Sequence, residues 1–108
     1  MKIIKSKQYE KDYKKKIANK HKLYEICRIN NIEELILDSK DLKSLLLNPL
    51  SKIYNINQKE GNLKEIFTAN VNSKIRLYMK PIGEYPYNQI EITDIEFLKI
   101  DDKHYGEG

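Results

Sequence analysis

Two runs of alternating apolar and polar residues, parted by Asn72-Ser73, constrain this chain more than any other feature. After Gly61-Asn62 the first run reads Leu63-Lys64-Glu65-Ile66-Phe67-Thr68-Ala69-Asn70-Val71, and the second reads Lys74-Ile75-Arg76-Leu77-Tyr78-Met79-Lys80. In the second, Ile75, Leu77 and Met79 fall on one side and Lys74, Arg76, Tyr78 and Lys80 on the other. A period of two marks a strand with one buried face. Asn tolerates the positive φ of a tight turn, so Asn72-Ser73 predicts a hairpin. A second turn, Pro81-Ile82-Gly83-Glu84-Tyr85-Pro86, leads to Gln89-Ile90-Glu91-Ile92-Thr93-Asp94, the third strand of an antiparallel meander. The row Lys74, Arg76, Tyr78 and Lys80, opposite the core face, is the first candidate functional surface.

The flanking sequence predicts helices within residues 6–47. Ser6 is a cap before Tyr9, Tyr13 and Ile17, which recur every four residues and leave Lys11, Lys14, Lys15 and Lys16 toward solvent. A polar turn at Asn19-Lys20-His21-Lys22 follows, with His21 a solvated turn residue. Leu23, Ile26 and Cys27, then Ile32, Leu35 and Ile36, supply the stripe of a second helix, which makes Cys27 a core residue. Asp38-Ser39-Lys40-Asp41 caps a short helix over Leu42–Leu46, stopped by Asn48-Pro49. Strands are expected near 53–56, 63–71, 74–80 and 88–98, with Lys2-Ile3-Ile4 as an edge. Ile90 and Ile92 sit on even positions but Ile95 and Phe97 on odd ones, a phase change that predicts a bulge or a strand end near Asp94. The expected fold is α+β, N-terminal helices packed on a small antiparallel sheet, in a single domain over residues 1–108.

Composition narrows the function classes. The chain holds 108 residues with 40% apolar and 33% charged content, which fits one soluble domain, and no apolar run has the length of a membrane span. The N-terminus lacks a signal-peptide pattern and Cys27 is the single cysteine, which together read as a cytoplasmic protein. Charge is unevenly spread. Residues 1–22 carry nine lysines against Glu10 and Asp12, while the whole chain is only +4, so the remainder is net acidic. A basic arm of this kind suits a polyanion partner, either nucleic acid or an acidic protein.

With two histidines, His21 and His104, and one cysteine, the sequence offers no metal-ligand motif. The four glycines are scattered singly, so there is no phosphate-cradling loop, and no cofactor is expected. Cys27 and His104 are the only candidates for a Cys-His pair, and a core cysteine disfavours it. What remains is a metal-free set of Arg76, several lysines, Tyr78, His104 and Tyr105. RNA brings its own nucleophile, the 2′-hydroxyl, so a protein need only align it, move protons and stabilise the charge on phosphorus. Arg forks onto phosphate oxygens, Lys adds point charge and Tyr stacks on bases. The same residues also describe an ordinary solvated strand face.

The Lys-rich helical start, Gly61-Asn62-Leu63-Lys64, the block from Phe67 to Leu77 and the segment Tyr87-Asn88-Gln89-Ile90-Glu91-Ile92-Thr93-Asp94 resemble the RelE/HigB-type toxins of bacterial type II toxin–antitoxin modules. The resemblance covers residues 50–105 and extends to the N-terminal helices in character. It implies a RelE-like α+β domain and a metal-independent, ribosome-dependent mRNA endoribonuclease neutralised by a cognate antitoxin. It makes Arg76 the cleft arginine and Lys59 or Lys64 the lysine before the sheet; Lys74, Tyr78 and Lys80, on the same strand face by alternation, are further candidate RNA contacts. The sequence departs from the pattern in two places. Glu60 directly precedes Gly61, and Asp94 is followed by Ile95-Glu96 where an acid/base pair is expected. His104-Tyr105 comes about ten residues later and is the candidate proton-carrying pair if the C-terminal segment folds back. Relatives of the ParE type, which poison DNA gyrase by protein contact, and a non-catalytic antitoxin-binding or regulatory module are the alternatives.

Overall fold

The computed structural model describes residues 1–102. A mixed sheet of five strands has the order β1-β5-β4-β3-β2, with β1 Lys2–Lys5, β2 Asn57–Gln58, β3 Phe67–Asn70, β4 Arg76–Pro81 and β5 Asp94–Asp101. Helices α1 (Lys7–Tyr13), α2 (Leu23–Asp38), α3 (Leu42–Leu47) and α4 (Pro49–Ile53) complete the α+β fold. The central hairpin is as predicted. Phe67 pairs with Met79 and Asn70 with Arg76, and Ile75, Leu77 and Met79 are buried. Its turn works differently from the expectation. Asn72 is not among the residues with positive φ; its Oδ1 instead accepts the backbone N–H groups of Lys74 and Ile75, both at 2.7 Å.

The first strand is parallel, not antiparallel, to its neighbour: Lys2 lies opposite Asp94 and Lys5 opposite Phe97. Ser6 then turns the chain into α1. Its hydroxyl accepts the Tyr9 N–H at 3.0 Å and donates to the Leu98 carbonyl at 2.8 Å, so one side chain caps the helix and ties it to β5. Tyr9 meets the Phe97 ring edge-on at 5.2 Å between centroids. The four-residue spacing of Tyr9, Tyr13 and Ile17 overshoots the 3.6-residue turn, and a π-helical turn over Lys14–Ala18 takes up the drift. Ile17 is thereby fully buried. Two other residues four apart grip the backbone of one residue from both sides. Asp12 Oδ2 accepts the Ile100 N–H at 3.0 Å, and Lys16 Nζ donates to the Ile100 carbonyl at 3.1 Å.

Helix α2 buries Ile29, Ile32 and Ile36, a stripe at helical spacing. Cys27 is exposed rather than core, because it stands about 200° around the helix from Ile29. Asn48-Pro49 stops α3 at Leu47, as predicted, and the same pair then starts another helix. Asn48 Oδ1 caps Leu50 N–H at 2.9 Å and Pro49 opens α4, a first-turn position where proline fits. The strand expected at 53–56 is therefore the end of α4 and its exit turn, with Asn55 at φ 54. The run from Leu63 likewise begins in a 3₁₀ turn, Gly61–Leu63, and becomes a strand only at Phe67.

The strand expected from residue 88 begins at Asp94. The preceding carbonyls are engaged elsewhere: Leu42 N–H donates to Ile92 O at 2.9 Å and Lys43 N–H to Gln89 O at 3.2 Å, while Asp41 Oδ1 accepts Ser44 N–H at 2.8 Å. The first N–H groups of α3 are thus satisfied by the segment that alternation assigned to the sheet. The bulge lies farther on than predicted, at Leu98, where Tyr78 pairs with Lys99 but Met79 pairs with Phe97.

Candidate functional site

One face of the sheet is the core; the other carries the polar members of β3, β4 and β5. Register places them in rows. Thr68, Tyr78 and Lys99 are neighbours across three strands, Asn70, Arg76 and Asp101 form the next row, and Lys80 lies opposite Glu96. Tyr78 is the centre. Lys99 Nζ stands 4.8 Å and Lys59 Nζ 5.9 Å from its ring centroid, so one ring lies within reach of two ammonium groups. Lys59 is set there by its backbone, which donates to Ile66 O at 2.8 Å just past β2. Burial first, then the Asp101 carboxylate, push the Tyr78 phenol above its usual value, with Arg76 opposing. Tyr78 is consequently a neutral O–H donor at physiological pH.

The chain has two arginines, and they are used differently. Arg28 of α2 is structural. Its Nε donates to Asn70 O at 3.2 Å, its Nη2 to Ile53 O at 2.9 Å, and its guanidinium lies 4.7 Å from the Tyr54 ring centroid. Arg76 is half-buried on the outer face, and its Nε has no hydrogen-bond partner among the described residues. Asn70 Oδ1, on the opposite register position, is likewise buried and unpartnered among them. A buried donor and a buried acceptor left open side by side are uncommon in a finished fold.

Of the residues singled out from sequence, Arg76, Tyr78 and Lys59 are brought together. Lys80 lies one row along and pairs with Glu65 at 3.6 Å. Lys64 is drawn aside, its Nζ 5.3 Å from the Tyr85 ring centroid, and Lys74 is exposed in the hairpin turn. His104 and Tyr105 lie outside the described residues. Lys99 was missed, for a definite reason. It shares odd parity with the core residues Ile95 and Phe97, so simple alternation points it inward; the bulge at Leu98 turns it out and returns Ile100 to the core. A lysine at a nominal core position followed at once by isoleucine was the available signal.

Among the described residues, no group of three or more His, Cys, Asp or Glu side chains gathers in metal-binding reach, and no helix is long and apolar enough to cross a membrane. The sequence matches no known protein-family profile and no curated protein. Solved structures do match in fold. YafQ from E. coli superposes with a TM-score of 0.65 at 18% identity, over 93% of this chain and 90% of that one. YafQ within the E. coli DinJ–YafQ complex gives 0.63 at 17% over 93% and 90%. A YoeB/ParE toxin from Agrobacterium tumefaciens gives 0.58 at 11%, over 96% and 100%. At these identities the likeness is one of architecture, and it agrees with the resemblance carried by the hairpin block. In fold, this chain is similar to the YafQ and YoeB/ParE toxins.

Proposed function

We propose that the protein is the toxin of a type II toxin–antitoxin module, a metal-independent endoribonuclease that cuts mRNA on the ribosome and is held in check by a cognate antitoxin. The observation that carries the reading is the unpartnered Nε of Arg76 beside the Tyr78–Lys99–Lys59 cluster on the open sheet face. Attack of a 2′-hydroxyl on the adjacent phosphorus breaks the bond to the 5′-oxygen, leaving a cyclic phosphate and a 5′-hydroxyl. Arg76 and the two ammonium groups answer the charge that builds on the phosphoryl oxygens, and the Tyr78 ring offers a base a stacking surface. His104 and Tyr105 are proposed as the proton carriers. A protein partner is supported by the fold neighbour YafQ, which occurs in complex with DinJ.

The test is expression in cells with and without Arg76→Ala. Relief of growth arrest, together with loss of cleavage of ribosome-bound mRNA, is the expected result. Undiminished toxicity of Arg76→Ala with inhibited DNA supercoiling would replace the ribonuclease reading by gyrase poisoning. Co-expression with the adjacent gene product should restore growth and yield a complex stable at moderate salt.

A further inference from the structure

The sheet site leaves the strongest charge feature of the chain unused. Lys7, Lys11, Lys14 and Lys15 are all exposed along α1 and its π-helical turn, on the side away from Tyr9 and Ile17. At 1.5 Å per residue the stripe is about 12 Å long. Of the two acids here, Asp12 is buried and engaged with Ile100 and Gln8, which leaves Glu10 as the one exposed carboxylate against the four lysines. The stripe is also fixed relative to the sheet site. Lys16, in the same π turn, holds Ile100 O at 3.1 Å and pairs with Asp102 at 3.6 Å, and Ile100-Asp101 lies opposite Leu77-Arg76. The lysines thus run up to the Arg76 end of the open face.

We infer that this stripe is a second docking surface, for the phosphate backbone of structured RNA, which it guides toward the sheet site. Its composition decides between partners. Protein interfaces are depleted in lysine and rely on aromatic or aliphatic anchors, and the stripe offers none. The exposed apolar side chains sit elsewhere, as with Leu47, Leu50 and Ile53 on α3 and α4. A phosphate backbone asks only for point charges in a row. RNA as the cleaved substrate rests on the proposed ribonuclease; the docking surface itself does not.

The experiment measures binding of an RNA duplex of about 20 base pairs as salt is varied, for wild type, for Lys7, Lys11, Lys14 and Lys15 all changed to Glu, and for the same four changed to Gln. Circular dichroism and thermal melting confirm that each variant is folded, and the Gln set serves if the Glu set is not. The expected result is a loss of at least about tenfold in affinity near 100 mM salt and a log–log salt slope shallower by about 3. Lys43→Gln, at an exposed lysine of α3 outside both surfaces, should bind the duplex as wild type does. Duplex binding unchanged by either lysine set, no duplex binding by wild type, or variants that lose only an acidic protein partner would each overturn the docking surface. Cleavage unaffected by Arg76→Ala would instead remove the ribonuclease reading and leave the lysine result standing.

Discussion

Asp12 of α1 accepts the backbone N–H of Ile100 in β5, at 3.0 Å and out of solvent, eighty-eight residues away in sequence. Ile100 pairs with Leu77 and follows the Leu98 bulge, so the carboxylate anchors the strand just where its ladder is irregular. Asp12→Ala leaves that N–H buried without a partner and should destabilise the fold by about 1–3 kcal/mol. Asp12→Asn keeps an acceptor oxygen and should cost less. Urea unfolding of the two variants checks the order, and equal losses would show that the N–H finds another partner.

Arg76→Ala removes a side chain whose Nε makes no hydrogen bond among the described residues. Stability should move by no more than about 0.5 kcal/mol while cleavage falls on the order of a hundredfold, about 3 kcal/mol of barrier. A large loss of stability in thermal melts would mean that Arg76 serves the fold.

Tyr78 and Lys99 should be energetically coupled. With Nζ 4.8 Å from the ring centroid, a double-mutant cycle using Tyr78→Leu and Lys99→Met should return about 0.5–1 kcal/mol. In cleavage assays Lys99→Met should be as defective as Lys59→Met or more so. Zero coupling energy would place the Lys99 ammonium away from the ring in solution.

Asp41 supplies a pH signature. Its carboxyl is held below its ordinary value of 3.8, chiefly by the Ser44 N–H it accepts at the start of α3. A depressed carboxyl stabilises the fold above the unfolded value and loses that contribution as pH falls from about 3.8 through the folded value. Asp41→Asn keeps the cap but not the titration. Urea midpoints at pH 6 and pH 3 should therefore differ less in the variant than in the wild type.

Gly83 sits at φ 157, and an added Cβ would fall 2.5 Å from Ile92 Cδ1. Gly83→Ala should destabilise by about 1–3 kcal/mol, since Ile92 is buried and its carbonyl caps α3. Ile92→Val deletes the clashing atom, so the double variant should recover part of the loss. A double variant worse than either single change would locate the strain in the backbone instead.

The hairpin was legible because its information is local: Ile75, Leu77 and Met79 repeat every second residue and nothing distant redirects them. What sequence concealed depended on long-range pairing. Ile90 and Ile92 alternate as a strand would, yet Gln89 and Ile92 give their carbonyls to α3. Lys99 is turned outward by a bulge visible only against Tyr78. Asn48-Pro49 was legible as the stop of α3, but not as the start of α4, whose Ser51 and Tyr54 are buried. At the candidate site, Arg76, Tyr78 and Lys59 were recognisable by residue type and spacing. The distinction between an Arg76 with an open Nε and an Arg28 spent on backbone carbonyls was not, because it rests on distant chain segments.

The parallel pairing of β1 with β5 sets the timing of assembly. The strand β1 is made before β2, β3 and β4, yet its partner β5 follows all of them, and β5 lies between β1 and β4 in the sheet. Until residues 94–101 emerge, Lys99 is absent, β4 has a bare edge and α1 has no strand to grip. A nascent chain shorter than this cannot display the face formed by Arg76, Tyr78 and Lys99. Its high contact order also makes closure one of the slower steps of folding. Synthesis therefore separates making most of this chain from forming its outer face.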